Sequence, residues 1–328
     1  MIIAFPHPPG GGGPGSFQTR FEKALRSEGA EIAYAGSNIR PDVVFVVGGT
    51  KRIIWLLRLK WKGVPIIHRL DGLAWLHRRK GWITFLYGEW GNFLFKFIHS
   101  FIATHVVYQS KFVNHWWDRS GWRKPKNYSI IYNGVDLEEL KPCSTPGSPI
   151  DLLCVEGTLD YSPYAIDLLN YLQSELIEKS DYRKLILYGG FQNPANERKL
   201  HPQIDYRGRV SRSKLPGIYK NAVYLSLDVN AACPNTVVEA MACGLPVVGY
   251  DTGALRELAG NAGEVVEYGG DPWRRKMPDF RRLKKRLLSA WIEYEDISKR
   301  NLERARGSLN MPNMVNEYLT VIKLVTKN

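Results

Sequence analysis

Residues 233–248 contain the residue types and the spacing in this chain that are best suited to binding a ligand. The pattern predicts a short helix that Asn235 caps and Gly244 ends, followed by a strand that Pro246 opens. Backbone amides at the start of such a helix form a natural site for a diphosphate. Glu239 lies one turn further along, where a carboxylate can accept hydrogen bonds from a ribose diol. The segment therefore predicts binding of a nucleotide.

Short apolar runs alternate with amphipathic stretches along the rest of the chain. Strand patterns occupy residues 2–5, 31–35, 42–47, 64–70, 101–108 and 128–132, then 151–155, 184–188, 223–227 and 245–250. Helix patterns include one capped by Ser16, a basic one at residues 51–62, and two more at 164–178 and 314–325. Buried strands separated by helices predict an α/β fold with a doubly wound parallel sheet in each half.

A Pro- and Ser-rich stretch at residues 140–149 is the clearest linker in the chain. It divides the sequence into an N-terminal domain at residues 1–139 and a C-terminal domain at residues 150–309. Residues 310–328 then form a final helix with no strand after it. The prediction is two Rossmann-like domains joined by a linker.

Several segments together resemble the retaining glycosyltransferases of family 4, which have the GT-B fold. They are residues 233–248, 132–136, 208–219 and 253–258, and the glycine-rich turn that leads to Ser16. The resemblance implies two Rossmann-like, doubly wound domains facing a cleft, with the C-terminal helix crossing back to the N-terminal domain. The N-terminal domain would then receive the acceptor, and the C-terminal domain would bind a nucleotide-sugar donor.

The resemblance also implies roles for single residues of the donor site. Glu239 matches the second Glu of the family's Glu-x7-Glu motif, which holds the donor ribose. The other residues assigned to donor binding are Pro234, Asn235, Thr236, Arg209, Gly157, Gly13 and Gly15. An exposed helix carboxylate is the alternative interpretation of Glu239.

Asp71 is the candidate catalytic residue. It closes the strand at residues 64–70 and aligns roughly where many members carry a His close to the transferred sugar. A carboxylate there can take the proton from an acceptor hydroxyl. The alternatives are a loop cap before Gly72 or an ion-pair partner for Arg69.

Two departures from the family pattern bear on activity. Ala231 stands where the first Glu of the motif is expected, which weakens the case for retention of configuration. Residues 156–163, where the family carries an Arg and a Lys that grip the diphosphate, contain no cation. Another cation must then compensate the diphosphate. Arg209 is the first candidate, with Arg207 and Lys214 behind it, although a surface position for Arg209 is an equal alternative.

The charge of the chain is concentrated in one part. The 328 residues carry a net charge of +13, but residues 51–126 hold 15 Lys and Arg against three acidic residues, together with eight of the ten Trp. Basic residues interleaved with Trp suit an anionic membrane surface, and they suit nucleic acid less well. The alternative is an ordinary solvated face with several Trp in the core.

Composition and targeting signals narrow the class of protein. With 44% hydrophobic and 23% charged residues, the chain is not intrinsically disordered. It shows no apolar run that could span a membrane and no secretory signal, and its four Cys lack metal-ligand spacing. We expect a cytoplasmic protein with reduced thiols, peripheral at the inner face of the cell membrane.

The predicted function is transfer of a sugar from a nucleotide-sugar to a hydroxyl of a glycan or lipid-linked acceptor. No Asp-x-Asp string occurs, so neither a metal nor another cofactor is expected. One alternative is a GT-B-like protein that binds nucleotide or glycan and has lost transfer. A nucleic-acid-binding protein and a GT-B sugar-nucleotide epimerase are the other two.

Overall fold

The computed structural model describes residues 1–142 and 150–327. Cys143 and most of the predicted linker at residues 140–149 lie outside the described residues. The chain divides into two compact units. The first unit contains Met1–Asn133 and Pro312–Asn328, and the second contains Gly134–Met311.

The first unit is built on a six-stranded parallel sheet. Its strands are β1 (Ile2–Phe5), β2 (Glu31–Tyr34), β3 (Val43–Val47), β4 (Ile66–Leu70), β5 (His105–Tyr108) and β6 (Tyr128–Ile130). They pair in the order β2-β1-β3-β4-β5-β6. All five residues of β3 are buried, because helices cover both faces of the sheet and a β-branched run can then pack on each side.

The helices of this unit are α1 (Gly12–Ser27), α2 (Ile53–Trp61), α3 (Trp82–Phe97) and α4 (Lys111–Asp118). Two predictions here are wrong in their bounds. Helix α1 begins at Gly12 rather than after a Ser16 cap, and the strand predicted at residues 101–108 begins at His105. Helix α3 itself was not predicted from the sequence pattern. Residues Ile98–Ile102 form a π-helical turn that continues it.

The last helix of the chain, α10 (Met311–Thr326), packs in the first unit. Its Tyr318 ring lies 4.8 Å from the ring of Phe21 and 5.4 Å from the ring of Phe45, between centroids. The predicted return of the final helix to the first domain is therefore confirmed.

One buried cation connects three parts of this core. The guanidinium of Arg69 in β4 lies 3.5 Å from the centroid of the Phe17 ring. It donates to the hydroxyl of Tyr318 at 3.1 Å and to the side-chain oxygen of Asn133 at 2.6 Å. Arg69 is 1% exposed, so these contacts replace the water that its charge would otherwise require.

The second unit contains another six-stranded parallel sheet. Its strands are β7 (Asp151–Thr158), β8 (Leu185–Gly190), β9 (Asp205–Tyr206), β10 (Ala222–Ser226), β11 (Val247–Tyr250) and β12 (Glu264–Val266). They pair in the order β12-β11-β10-β7-β8-β9. The helices are α5 (Ala165–Glu175), α6 (Asn235–Ala242), α7 (Leu255–Ala259), α8 (Phe280–Ile292) and α9 (Tyr294–Ser308).

Both units therefore have the predicted doubly wound architecture. Neither unit contains, within the described ranges, a helix long and apolar enough to cross a bilayer.

Removal of the Tyr318 hydroxyl tests the role of the Arg69 cluster, which consists of Arg69, Phe17, Asn133 and Tyr318. We expect Tyr318→Phe to lower the free energy of unfolding by about 1.5–3 kcal/mol, because a buried charged donor loses its acceptor. Chemical denaturation followed by circular dichroism measures this change. Tyr128→Phe, at a half-exposed tyrosine of β6, is the control and should change stability by less than about 0.5 kcal/mol. Equal losses in the two variants would contradict the role of the cluster.

Candidate functional site

The topology of the second sheet marks one position for a ligand. The chain winds from β7 through β8 to β9 on one side, and from β10 through β11 to β12 on the other. Strands β7 and β10 pair with each other, so the connections at their carboxyl ends leave in opposite directions. Ligands of open α/β sheets bind in the crevice that this divergence creates. The candidate residues Gly157, Pro234 and Glu239 all follow or end these two strands.

Helix α6 begins close to the predicted position, with a different cap. Asn235 is its first residue and Pro234 occupies the cap position, where it provides no side-chain hydrogen bond. The prediction that Asn235 caps the helix is therefore wrong by one residue. The Thr236 side chain hydrogen-bonds to Tyr224, a core residue of β10, so it also anchors the helix start to the sheet. The cap residue supplies no side-chain acceptor, and the backbone amides at the start of a helix have no partner within the helix.

Glu239 is 2% exposed, so its interpretation as an exposed helix carboxylate is wrong. Its Oε1 accepts from Arg212 Nη1 at 2.7 Å, and its Oε2 accepts from the Tyr219 hydroxyl at 3.3 Å. Arg212 also donates through Nη2 to Glu139 at 3.2 Å. A carboxylate has about four acceptor positions. Glu239 is thus held in a fixed orientation with capacity for further donors, such as two hydroxyl groups.

Arg209 lies in a groove of about 500 Å³ that carries three cationic side chains. The groove is lined by Tyr188, Arg207, Arg209, Val210, Ser211, Lys214, Gly217 and Ile218. Arg207 is engaged by Asp205 through two hydrogen bonds of 3.0 and 2.8 Å. Arg209 and Lys214 have no ion-pair partner among the described residues. These two cations are therefore available to an anionic ligand, and the surface position proposed for Arg209 is compatible with that role.

The position of Arg209 depends on Gly190, the last residue of β8. A Cβ atom on Gly190 would overlap the guanidinium of Arg209. A glycine at the end of this strand therefore lets the guanidinium lie directly against the sheet edge.

Two carboxyl groups, the buried Glu156 and the half-buried Asp228, lie near the centre of the same edge. Glu156, near the end of β7, accepts from the backbone amide of Leu227 at 3.2 Å, and Asp228 follows β10 by two residues. Burial raises the pKa of Asp228 to about 6. Burial and the neighbouring Asp228 raise the pKa of Glu156 well above its usual range. Like charges held together at low exposure are typical of functional sites rather than of stable cores.

The pair makes stability depend on pH. Between the ordinary pKa of an Asp and about 6, the folded state retains a proton that the unfolded chain has released, so stability falls as pH rises through this window. We expect Asp228→Asn to raise the Tm at pH 7.5 by a few degrees, about 2–4 °C for each kcal/mol gained. The gain should be smaller at pH 5, inside that window, and should vanish only below the ordinary pKa of an Asp, where the folded and the unfolded wild type are both protonated. Differential scanning fluorimetry at both pH values measures it, and an equal gain at both would contradict the raised pKa.

The first unit holds the other candidate residues. Asp71 follows β4, and its Oδ1 lies 3.5 Å from Arg69 Nη1 and accepts from the Gln109 side chain. Its backbone oxygen accepts from Trp117 Nε1 at 2.8 Å. The proposed ion pair with Arg69 is therefore present, and about one-third of the Asp71 side chain stays exposed. Burial raises the pKa of Asp71, and the positive charge of Arg69 opposes that rise.

The predicted glycine residues have different surroundings. Gly13 and Gly15 lie in the first turn of α1, and a Cβ atom on Gly15 would overlap the carbonyl group of Gly10. Gly15 is thus required by the turn itself, whatever else it contacts. Gly157 has open space at its Cα, so the sheet edge beside it is accessible.

A groove of about 460 Å³ opens where β1 and β3 diverge, at the equivalent edge of the first sheet. It is lined by His7, Gly49, Thr50, Lys51, Arg52, Gly91, Leu94 and Phe95. Its apolar floor and two basic residues make it the main candidate in this unit for an acceptor. His68, by contrast, is a core residue whose Nε2 lies 2.7 Å from the carbonyl oxygen of Gly48.

Sequence reasoning missed Arg212 and the pairing of Glu156 with Asp228. Arg212 lies 27 residues before Glu239, and no local spacing relates the two. The carboxyl pair had a readable signal, since each residue ends or follows a buried strand. Neighbouring parallel strands bring their carboxyl ends together.

Comparison with family models identifies part of the second unit. Residues 152–273 match the model described as Glycosyl transferases group 1. No curated protein matches the chain.

Comparison with solved structures covers the whole chain. A glycosyltransferase from Rickettsia africae ESF-5 is 14% identical with a TM-score of 0.72, over 100% of this chain and 99% of that one. Alr3699/HepE from Anabaena, in complex with UDP and glucose, is 13% identical with a TM-score of 0.71, over 98% and 99%. A sucrose-phosphate synthase from Thermosynechococcus elongatus is 15% identical with a TM-score of 0.70, over 99% of each. The predicted GT-B class of two Rossmann-like domains is confirmed.

Proposed function

We propose that this protein transfers a sugar from a nucleotide-sugar donor to a hydroxyl group of a glycan or lipid-linked acceptor. The observation that carries the proposal is the buried, oriented carboxylate of Glu239 at the carboxyl edge of a sheet whose residues match a glycosyl transferase domain. A buried carboxylate with spare acceptor positions suits a ribose diol. One structural neighbour, Alr3699/HepE from Anabaena, has UDP and glucose bound, which supports a nucleotide-sugar as the ligand class.

The donor diphosphate would lie between the start of α6 and the basic groove. Negative charge builds on the departing diphosphate as the bond to the anomeric carbon breaks. Helix-start amides of Asn235 and Thr236, together with Arg209 and Lys214, would stabilise that charge from fixed positions. We propose that these groups serve in place of a metal ion.

The acceptor hydroxyl must lose a proton as the new glycosidic bond forms. Asp71, partly exposed at the end of β4, is the proposed base, and the departing phosphate oxygen is the alternative. Retention of configuration stays a proposal that rests on the family resemblance, and Ala231 weighs against it because the motif's first Glu is absent.

The partner on the acceptor side is proposed to be an anionic membrane surface, contacted through residues 51–126. The net charge of this segment and its three exposed Trp, Trp61, Trp82 and Trp90, support that surface. The protein would then work in the cytoplasm, peripherally at the inner face of the cell membrane.

A second candidate is a GT-B-like protein that binds nucleotide or glycan without transfer. The observations that favour it are Ala231 and the Glu156–Asp228 pair, which places carboxyl groups where the family carries cations. Turnover of the donor separates the two functions.

Glu239→Ala tests the donor site. At about 100 times its dissociation constant, the cognate donor should stabilise the wild type by about 2.7 kcal/mol, and the variant should show little or no shift. The measurement is thermal shift with UDP-, GDP-, ADP- and dTDP-sugars. Glu303→Ala, an exposed carboxylate of α9, is the control and should respond like the wild type. If no nucleotide-sugar stabilises the folded wild type, the transferase proposal fails.

Asp71→Asn tests the base once a donor is known. We expect kcat to fall about 10²- to 10⁴-fold while the donor dissociation constant stays unchanged. Because burial raises the pKa of Asp71, wild-type kcat should rise with pH through a limb above the ordinary Asp range, and the variant should lack it. Initial rates across pH measure both. Asp118→Asn, at an exposed ion pair with Lys124, is the control. A variant with near wild-type kcat would assign the proton to the departing phosphate.

A further inference from the structure

Helix α3 exposes more large apolar surface than any other described element. Of the 17 exposed large hydrophobic side chains among the described residues, seven lie in this one helix. They are Trp82, Ile83, Phe85, Leu86, Tyr87, Trp90 and Phe93, with Tyr87 76% and Trp82 73% exposed. Single exposed apolar residues are ordinary, but a contiguous group marks an interaction surface.

Three of the exposed residues, Leu86, Trp90 and Phe93, form a strip with the half-buried Phe97. Leu86, Trp90, Phe93 and Phe97 follow each other at intervals of three and four residues, which places them on one side of the helix. The ring centroids of Trp90 and Phe93 are 5.5 Å apart, and those of Phe97 and Phe101 are also 5.5 Å apart. The strip thus continues from α3 through the π-helical turn to Phe101.

The charges beside the strip have one sign. Lys60 of α2 donates to the backbone oxygen of Phe101, and the Lys96 ammonium lies 5.6 Å from the centroid of a Trp122 ring. Glu89 is the only acidic residue in α3, and it accepts from His77 and from Arg78, each at 2.9 Å. The helix therefore presents apolar and aromatic surface bordered by cations, with its one carboxylate already paired.

We infer that α3 is the element that inserts into the interfacial region of a bilayer containing anionic phospholipid. This inference rests on the membrane partner proposed above and narrows it to one helix. Trp and Tyr rings prefer the headgroup level, and apolar side chains on the strip would enter the acyl boundary. Lys60 and Lys96 would lie near the lipid phosphates, where each cation adds attraction to an anionic surface.

Charge and residue type favour a bilayer over a second copy of the chain. In a pairing of two such helices, the bordering cations would face each other without a carboxylate to compensate them. An anionic lipid surface supplies that compensation throughout the plane. The experiment must therefore distinguish self-association through α3 from binding to a bilayer.

The test compares vesicle binding of two matched double variants. Leu86→Glu/Trp90→Glu changes the strip, and Leu288→Glu/Ile292→Glu adds the same charges at the same spacing to exposed positions of α8. Binding to vesicles of phosphatidylcholine with roughly 30 mol % phosphatidylglycerol is measured by co-sedimentation. The strip variant should bind at least about tenfold more weakly, and the α8 variant within about twofold of the wild type.

Three other results of the vesicle experiment would contradict the inference. If the strip variant binds anionic vesicles as well as the wild type, another surface docks and α3 is excluded. If the wild type binds no vesicles, the membrane partner itself fails. A lipid-free wild type that is dimeric by analytical ultracentrifugation, with a monomeric strip variant and no vesicle binding, would make α3 a self-association surface. The thermal shift with nucleotide-sugars should be the same in the wild type and in both double variants. A failure of the donor-site proposal can therefore be distinguished from a failure of the membrane inference.

Insertion itself has a spectroscopic readout. Vesicles with brominated acyl chains should quench a large part of the wild-type Trp emission. Trp82→Phe/Trp90→Phe should still bind but lose most of that quenching, because two exposed indoles are removed while the apolar surface stays. Unchanged quenching in this variant would show that α3 does not enter the bilayer.

Discussion

The parallel pairing of β7 with β10 is the constraint on which the second unit's site depends. It brings the ends of two strands together although about 70 residues separate them in the chain, and it sends their loops in opposite directions. Helix α6 and Glu239 follow one loop, and the Glu156 carboxyl ends the other strand. The basic groove then lies beside the same edge, after β8 and β9. The position of the site is therefore determined first by the order of the strands and only then by single side chains.

The carboxyl groups at this edge have two opposite electrostatic environments. Arg212 donates to Glu239 at 2.7 Å, so this almost fully buried carboxyl group has a cationic partner. Glu156 and Asp228 have no cation beside them among the described residues, and burial then favours their protonated forms. The family's cations are missing at the same place in the sequence. The chain thus separates its acidic centre from its basic groove, and a diphosphate would be drawn toward the groove.

The sequence predicted the sheets well because their signal is local. Runs such as residues 43–47 are apolar at every position, and only a strand covered on both faces explains that pattern. Helix α3 was missed for the opposite reason, since its first two turns are apolar on all sides and show no amphipathic period. Glu239 was found through a motif, but its partner Arg212 was not, because their contact depends on how a distant turn folds against α6. Tertiary pairing of this kind leaves no spacing in the sequence.

The contacts of Arg69 have a consequence for how the protein is made. Its guanidinium joins Phe17, near the start of the chain, to Tyr318, in the last helix. A ribosome synthesises residues 134–310 before it synthesises α10, so nearly the whole sequence of the second unit is available while the first unit still lacks one helix of its core. Domains usually complete folding in the order of synthesis. In this chain the first unit can complete its core only after the second has been synthesised, because Phe17, Phe21 and Phe45 pack against Tyr318.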